Sequence, residues 1–285
     1  MTRIDANFTV CALLGQPARH SMGPAIHNAA FDALGLPLVY VAHDVAPADL
    51  AAAMAGVRAL GYRGLSITMP HKVAALALVD EVDAVARAIG CINTAVNDNG
   101  RLLGYNSDGQ GALDALARAG VAIAGRRVLV LGSGGAARAV AMTVALRGDP
   151  AELAILGVVK DELTDLGRDI ATRTGKEAKT QMLDDATLRA ALARAEILLH
   201  CTPIGMTPDT SRSLVPAELL RPELSVFDAV YNPRRTRLLN QAAAAGCRVV
   251  EGMEMFLGQA MIQFQLWTGK PAPAEVMRRI IEARL

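Results

Sequence analysis

The sequence predicts an α/β fold of two doubly wound domains, and three observations predict it. Short β-rich runs alternate with segments of helical periodicity along most of the chain. One run, at residues 128–131, enters a glycine-rich turn that opens a helix. The composition, 52% hydrophobic but only 4% aromatic over 285 residues, builds an interior from Ala, Leu, Val and Ile, and the length suits two cores better than one.

In the first hundred residues, 8–14, 39–43 and 65–68 read as strands. Between them, 24–34 and 47–60 carry apolar residues at helical spacing with a proline in the first turn, where its missing N–H costs nothing. This βαβαβ order predicts a parallel sheet with helices on its faces. A further helix over about 81–89 leads to short strands near Ala95 and Leu102, and 104–111 reads as a domain crossing. The second alternation is sharper. The strand at 128–131 and a helix to about Leu146 precede strands at 153–156, 197–199 and 225–227. After Val250, helices at about 252–267 and 274–283 have no strand left to pair with and are expected to return to the first domain. The expected division is 1–108 plus 250–285 for one domain and 109–249 for the other.

Composition narrows the partners. A formal net charge of +1 gives no basis for phosphate attraction or polybasic docking, so neither nucleic acid nor a membrane is expected and a small diffusible substrate is. Cys11, Cys91, Cys201 and Cys247 lie far apart without paired spacing, which speaks against a zinc cluster, a redox dithiol or a disulfide framework; no metal is expected, and a reducing cytoplasm fits. The apolar run at 8–14 is short, follows Asp5 and lacks a small-residue cleavage pattern, so it reads as a strand rather than a leader.

The glycine turn reads Gly132-Ser133-Gly134-Gly135-Ala136-Ala137, the dinucleotide pattern with alanine in third place, and stands between strand and helix as that pattern requires. The first glycine permits the tight turn, the second lets backbone approach a pyrophosphate, and the helix N-terminus presents free N–H groups. The second strand is followed by Gly157-Val158-Val159-Lys160, with neither the acidic residue of NAD sites nor the arginine of NADP sites at its end. Lys160 is a candidate contact, yet Lys160, Asp161 and Glu162 equally suit a solvated first helical turn. In the first half, Ser66-Ile67-Thr68-Met69-Pro70-His71-Lys72 places polar groups and an amine at a strand's carboxyl end, where open α/β sheets bind ligands. A lysine desolvated there can shuttle a proton. Asp108, in Asn106-Ser107-Asp108-Gly109, could orient such an amine or simply cap a helix.

Taken with Gly15-Gln16-Pro17, His20-Ser21-Met22-Gly23-Pro24, His27-Asn28 and Asn93-Thr94, these segments resemble the shikimate/quinate dehydrogenase family in order and spacing. So do Thr202-Pro203-Ile204-Gly205-Met206, Asp228-Ala229-Val230-Tyr231-Asn232-Pro233 and residues 252–259, so the resemblance covers nearly the whole chain. It implies an N-terminal open α/β substrate domain and a Rossmann dinucleotide-binding domain, NAD(P) as cofactor with a lean to NADP, and a small cyclic hydroxy acid as substrate. A monomer or homodimer is expected. Lys72 and Asp108 are implied as the catalytic pair. Ser21, Gly23, Ser66, Thr68, Asn93, Asn106, Tyr231 and Gln259 map onto substrate positions. Gly132, Ser133, Gly134, Gly135, Ala136, Lys160, Thr202, Met206, Val230, Tyr231, Gly252 and Met255 fall in cofactor segments.

The family's pattern is broken at four places. Gly23 replaces a second serine, Ser66 an asparagine, Gly157-Val158-Val159 the polar end of the second strand in NADP-using members, and His200 the asparagine that begins the Thr-Pro segment. The resemblance therefore implies reversible hydride transfer at a ring secondary alcohol of shikimate, quinate or a related acid. The alternative is a catalytically weak ligand-binding or regulatory paralogue of the same fold.

Overall fold

A computed structural model describes residues 4–285. The described residues divide into two compact units, one formed by the chain up to Ser107 together with Gln259–Arg284, the other by Asp108–Gly258.

The first unit holds a six-stranded sheet built from β1 (Thr9–Gly15), β2 (Leu38–Asp44), β3 (Gly64–Ile67), β4 (Glu81–Val82), β5 (Thr94–Asp98) and β6 (Arg101–Tyr105), in the order β2-β1-β3-β5-β6-β4. β1 runs parallel to β2 and β3, but β5 is antiparallel to both β3 and β6. The parallel arrangement expected of β1, β2 and β3 is present, and β5 and β6 add an antiparallel hairpin to it, turned by Asn99 and Gly100, both at positive φ. The helices are α1 (Gly23–Ala33), α2 (Leu50–Ala59), preceded by a 3₁₀ turn at Pro47–Asp49, and α3 (Ala84–Ile89). α3 is shorter than the helix expected from residue 81. Glu81 and Val82 pair with β6, and Asp83 caps the helix by accepting from Ala86 N at 2.9 Å.

Side chains alternate across this sheet. Ala12, Leu14, Leu65 and Ile67 join Leu50, Met54 and Val57 of α2 in one core. On the other face Tyr40 and Trp267 pack tilted at 5.7 Å, Phe31 stacks on Phe264 at 5.4 Å, and His27 lies against Tyr40, Trp267 and Phe31. Few aromatics are present in the chain, and this layer concentrates them.

The second unit opens with α4 (Asp108–Arg118) and carries an all-parallel sheet of β7 (Arg127–Leu131), β8 (Glu152–Gly157), β9 (Lys179–Met182), β10 (Ile197–His200), β11 (Ser225–Asp228) and β12 (Arg248–Val250). The order β12-β11-β10-β7-β8-β9 is the doubly wound 3-2-1-4-5-6 arrangement, with its switch point between β7 and β10. Its helices are α5 (Gly135–Thr143), α6 (Lys160–Thr174), α7 (Asp185–Arg194) and α8 (Arg237–Ala244). Leu129, Leu131, Leu198 and Val226 meet Leu188, Leu192 and Leu239 in one core. α9 (Gly252–Thr268) and α10 (Ala274–Glu282) close the chain. Gln259–Arg284 counts with the first unit, and Gly252 through Gly258 with the second. Among the described residues no helix is long and apolar enough to cross a membrane.

Candidate active site

In the first unit the carboxyl end of β3 leads into a tight turn that carries Thr68 and Lys72. His71 N–H donates to Thr68 O at 2.9 Å, and the buried His71 ring donates from Nε2 to Val45 O at 2.8 Å, since a carbonyl can only accept. The turn is thereby pinned to the sheet. Lys72, half-buried, accepts Ile92 N–H at its carbonyl at 3.0 Å, which sets it beside Cys91, Ile92 and Asn93. Asn93 is buried and fully directed: its Oδ1 accepts Ser107 N–H at 2.9 Å, and its Nδ2 donates to Ser107 Oγ at 3.0 Å. Asn106 donates to Cys91 O at 3.2 Å. Lys72, Asn93 and Asn106 therefore gather at one end of the sheet. Asp108, next in the chain after Ser107, is buried at the start of α4.

Ser21 and Gly23 stand at the start of α1, with Gly23 N–H donating to Ser21 Oγ at 3.1 Å. A Cβ at Gly23 would lie 3.2 Å from Ser21 Oγ and from the Cε1 and Oη of Tyr40, so the aromatic layer fills the space a side chain would need. Ser66 is buried, and its hydroxyl donates to Gln263 Oε1 at 3.0 Å while also bonding Tyr40. Gln263 Nε2 continues to Thr94 Oγ1 at 3.0 Å. Gln259 lies one turn before Gln263 on the same face of α9. His27 is buried and stacked on Tyr40 at 4.7 Å. Burial pushes its imidazole pKa down to about 3, partly opposed by a hydrogen bond with Gln263.

In the second unit the switch point brings together the turn after β7 and the segment after β10. Gly132 has φ +117°, and a Cβ there would lie 2.9 Å from Cys201 O, so only glycine fits. Gly134, Gly135 and Ala136 are exposed, a side chain on Gly134 or Gly135 would meet nothing within 4 Å, and Gly134 gives α5 no side-chain cap. The chemistry and the room fit a pyrophosphate laid against the helix N–H groups. Ser133 Oγ donates to Glu162 Oε2 at 2.7 Å, while Lys160 is exposed at the first position of α6. Thr202 is half-buried next to the turn, Met206 is exposed, and Val230 is buried. Tyr231 is exposed and stacks on Phe256 at 4.9 Å. Gly252 opens α9 against the carbonyls of Asp228, Ala229 and Val230, with Met255 buried one turn on.

Comparison with known proteins identifies the family. A family model described as the shikimate dehydrogenase substrate binding domain matches residues 13–95, and one described as the shikimate 5′-dehydrogenase C-terminal domain matches 252–282. The chain is 43% identical over 281 residues to a shikimate dehydrogenase (NADP(+)) of Moorella thermoacetica, covering 99% of this chain and 95% of that one. The chain belongs to the shikimate dehydrogenase family. Solved members superpose closely. A shikimate dehydrogenase in complex with NADP+ matches with TM-score 0.93 and 36% identity, covering 99% of this chain and 97% of the other. The shikimate 5-dehydrogenase of Listeria monocytogenes in complex with shikimate and NAD matches with TM-score 0.92 and 35% identity, covering 99% of each.

Within this shikimate dehydrogenase fold, two groups escaped the sequence reading. Gln263 links Ser66 to Thr94, and its signal was the four-residue spacing from Gln259 on α9. His200 stood out only as a departure from the family's asparagine. In the fold it bridges Asp228 and Thr202, with Nδ1 2.8 Å from Asp228 Oδ1 and Nε2 2.6 Å from Thr202 Oγ1.

Proposed function

We propose that the protein oxidises a ring secondary alcohol of shikimate, quinate or a related cyclic hydroxy acid, reversibly and with NAD(P). The observation that carries this reading is the gathering of Lys72, Asn93 and Asn106 at one sheet end in a chain of this family. The relatives are named for NADP(+) and shikimate, the chemistry of their own sites.

The bound nicotinamide supplies the hydride acceptor; everything else falls to the chain. Lys72, as the free amine, takes the hydroxyl proton as the carbinol carbon gives up hydride, and a ketone results. Asp108 is assigned to orient that amine. Thr68, Asn93, Asn106, Ser21 and Gln259 are assigned to the acid's ring hydroxyls and carboxylate. Gly132 through Ala136 hold the pyrophosphate, and Thr202, Val230, Tyr231, Gly252 and Met255 border the nicotinamide. On this reading the first unit is the substrate domain and the second the dinucleotide-binding domain.

Steady-state assays with shikimate, quinate and related cyclic hydroxy acids, each with NAD+ and NADP+, test the proposal. Reduction of cofactor with at least one acid is expected. No reduction with any of them at saturating concentration would sink the substrate class.

A further inference from the structure

We infer that this chain discriminates in favour of NAD over NADP, with Glu162 as the residue that sets the choice at the adenosine ribose. The inference rests on the dinucleotide reading of the second unit and goes beyond it, since the relatives' names weigh toward NADP.

In a doubly wound sheet the adenosine ribose lies at the end of the strand next to the glycine turn. An acidic group there accepts from the 2′-hydroxyl of NAD, whereas an arginine accommodates the 2′-phosphate of NADP. The strand in question is β8. Its last residue, Gly157, is packed so closely that a Cβ would lie 2.9 Å from Ser133 Oγ and 3.2 Å from Leu163 Cδ2. Gly157 itself offers a nucleotide no side chain, and a larger residue there would have to displace Ser133 or Leu163. The next two residues, Val158 and Val159, are exposed and apolar, with nothing to donate to a phosphate.

A carboxylate is hydrogen-bonded to the turn. Glu162, exposed in the first turn of α6, accepts from Ser133 Oγ at 2.7 Å and is thereby held against the second residue of the glycine turn. Asp161 precedes it, and Lys160 is the one cation between Gly157 and Glu162, so this stretch carries one positive and two negative groups. A 2′-phosphate brings a charge of about −1.5 to −2 at neutral pH and would be set beside that excess of negative charge. A 2′-hydroxyl is a donor and meets an acceptor that is already positioned. The Ser133 bond matters because it fixes a flexible glutamate before the nucleotide arrives.

Calorimetric titration of the purified protein with NAD+, NADP+, ADP-ribose and 2′-phospho-ADP-ribose tests this without turnover. At least tenfold tighter binding of NAD+ than NADP+ is expected, with the same order for the two nicotinamide-free fragments. Glu162→Gln should narrow the ratio severalfold, and Val158→Arg with Glu162→Arg should reverse it, thermal melts confirming that each variant is folded. A wild-type ratio under tenfold, or NADP+ held tighter through Lys160, overturns the inference while leaving the dinucleotide reading intact. An unchanged ratio in Glu162→Gln removes Glu162 as its cause. Failure of all four nucleotides to bind overturns both.

Discussion

His200 and Asp228 stand directly opposite each other on β10 and β11, both removed from solvent, with Nδ1 2.8 Å from Oδ1. The carboxylate also accepts from Val230 N at 3.0 Å and from Thr236 Oγ1 at 2.6 Å. A carboxylate so placed takes the proton of Nδ1, and Nε2 lies 2.6 Å from Thr202 Oγ1. Removing the ring leaves a buried carboxylate short of a donor. His200→Ala should therefore cost about 3 kcal/mol, and His200→Asn, which keeps a donor, distinctly less. Urea denaturation followed by circular dichroism checks this, and equal midpoints for all three proteins would refute the coupling.

His27 makes the first unit sensitive to acid. Its pKa is lowered to about 3 by burial, against an ordinary value near 6.5. The unfolded chain therefore takes up the proton first. Stability from this residue is complete above about pH 6.5 and declines as pH falls toward 3, by at most about 1.4 kcal/mol per unit. Between pH 7 and 5 the carboxylates whose pKa values are lowered, such as Asp44 and Asp80, stay ionised, and the change of slope on replacing His27 separates its share from that of the other histidines. His27→Phe should flatten the fall of the unfolding midpoint between those two pH values; an unaltered slope counts against the assignment.

Lys72 is the residue on which turnover is proposed to depend. Lys72→Ala should lower kcat at least about a hundredfold with a smaller change in KM, the pattern of a group acting chiefly in the transition state. Asp108→Asn should also lower kcat, and shift the pH at which activity rises. Near-native turnover in Lys72→Ala would remove the lysine from the mechanism.

Gly23 offers two effects of opposite sign. A serine there must displace Ser21 Oγ or Tyr40, since its Cβ would lie 3.2 Å from each, and overpacking of this kind costs about 1–3 kcal/mol. The added hydroxyl supplies a donor for a carboxylate, worth about one to two decades of affinity. Gly23→Ser should thus lower the melting temperature while lowering KM for the acid. If both fall as expected, the acid's carboxylate lies at the start of α1; a raised KM places it elsewhere.

Much of this architecture was legible because long apolar strands and proline-started helices announce themselves. β1, β3, β7, β10 and β11 carry the apolar runs that predict them. β9 does not: Lys179-Thr180-Gln181-Met182 is an edge strand, almost wholly exposed, and lacks the apolar face that betrays a strand. β12 is three residues long, too short for any period to register. The antiparallel turn of β5 was hidden for another reason, since strand direction is fixed by pairing rather than by composition. At the site, motif order brought out the residues near Lys72 and the glycine turn. The Ser66–Gln263–Thr94 chain and the His200–Asp228 pair join positions 169 and 28 residues or more apart, and only the folded backbone brings them together.

Thr236 has two duties at once. Its hydroxyl caps α8 by accepting from Leu239 N at 3.3 Å, and it donates to Asp228 Oδ2 at 2.6 Å. The connection from β11 to α8 is therefore a clasped loop, shut at both ends by one carboxylate and one hydroxyl, with Tyr231 at its exposed crest. Sequence drift along that crest can retune what the loop touches without loosening its hinges, whereas an insertion would have to break the clasp before it could be accommodated.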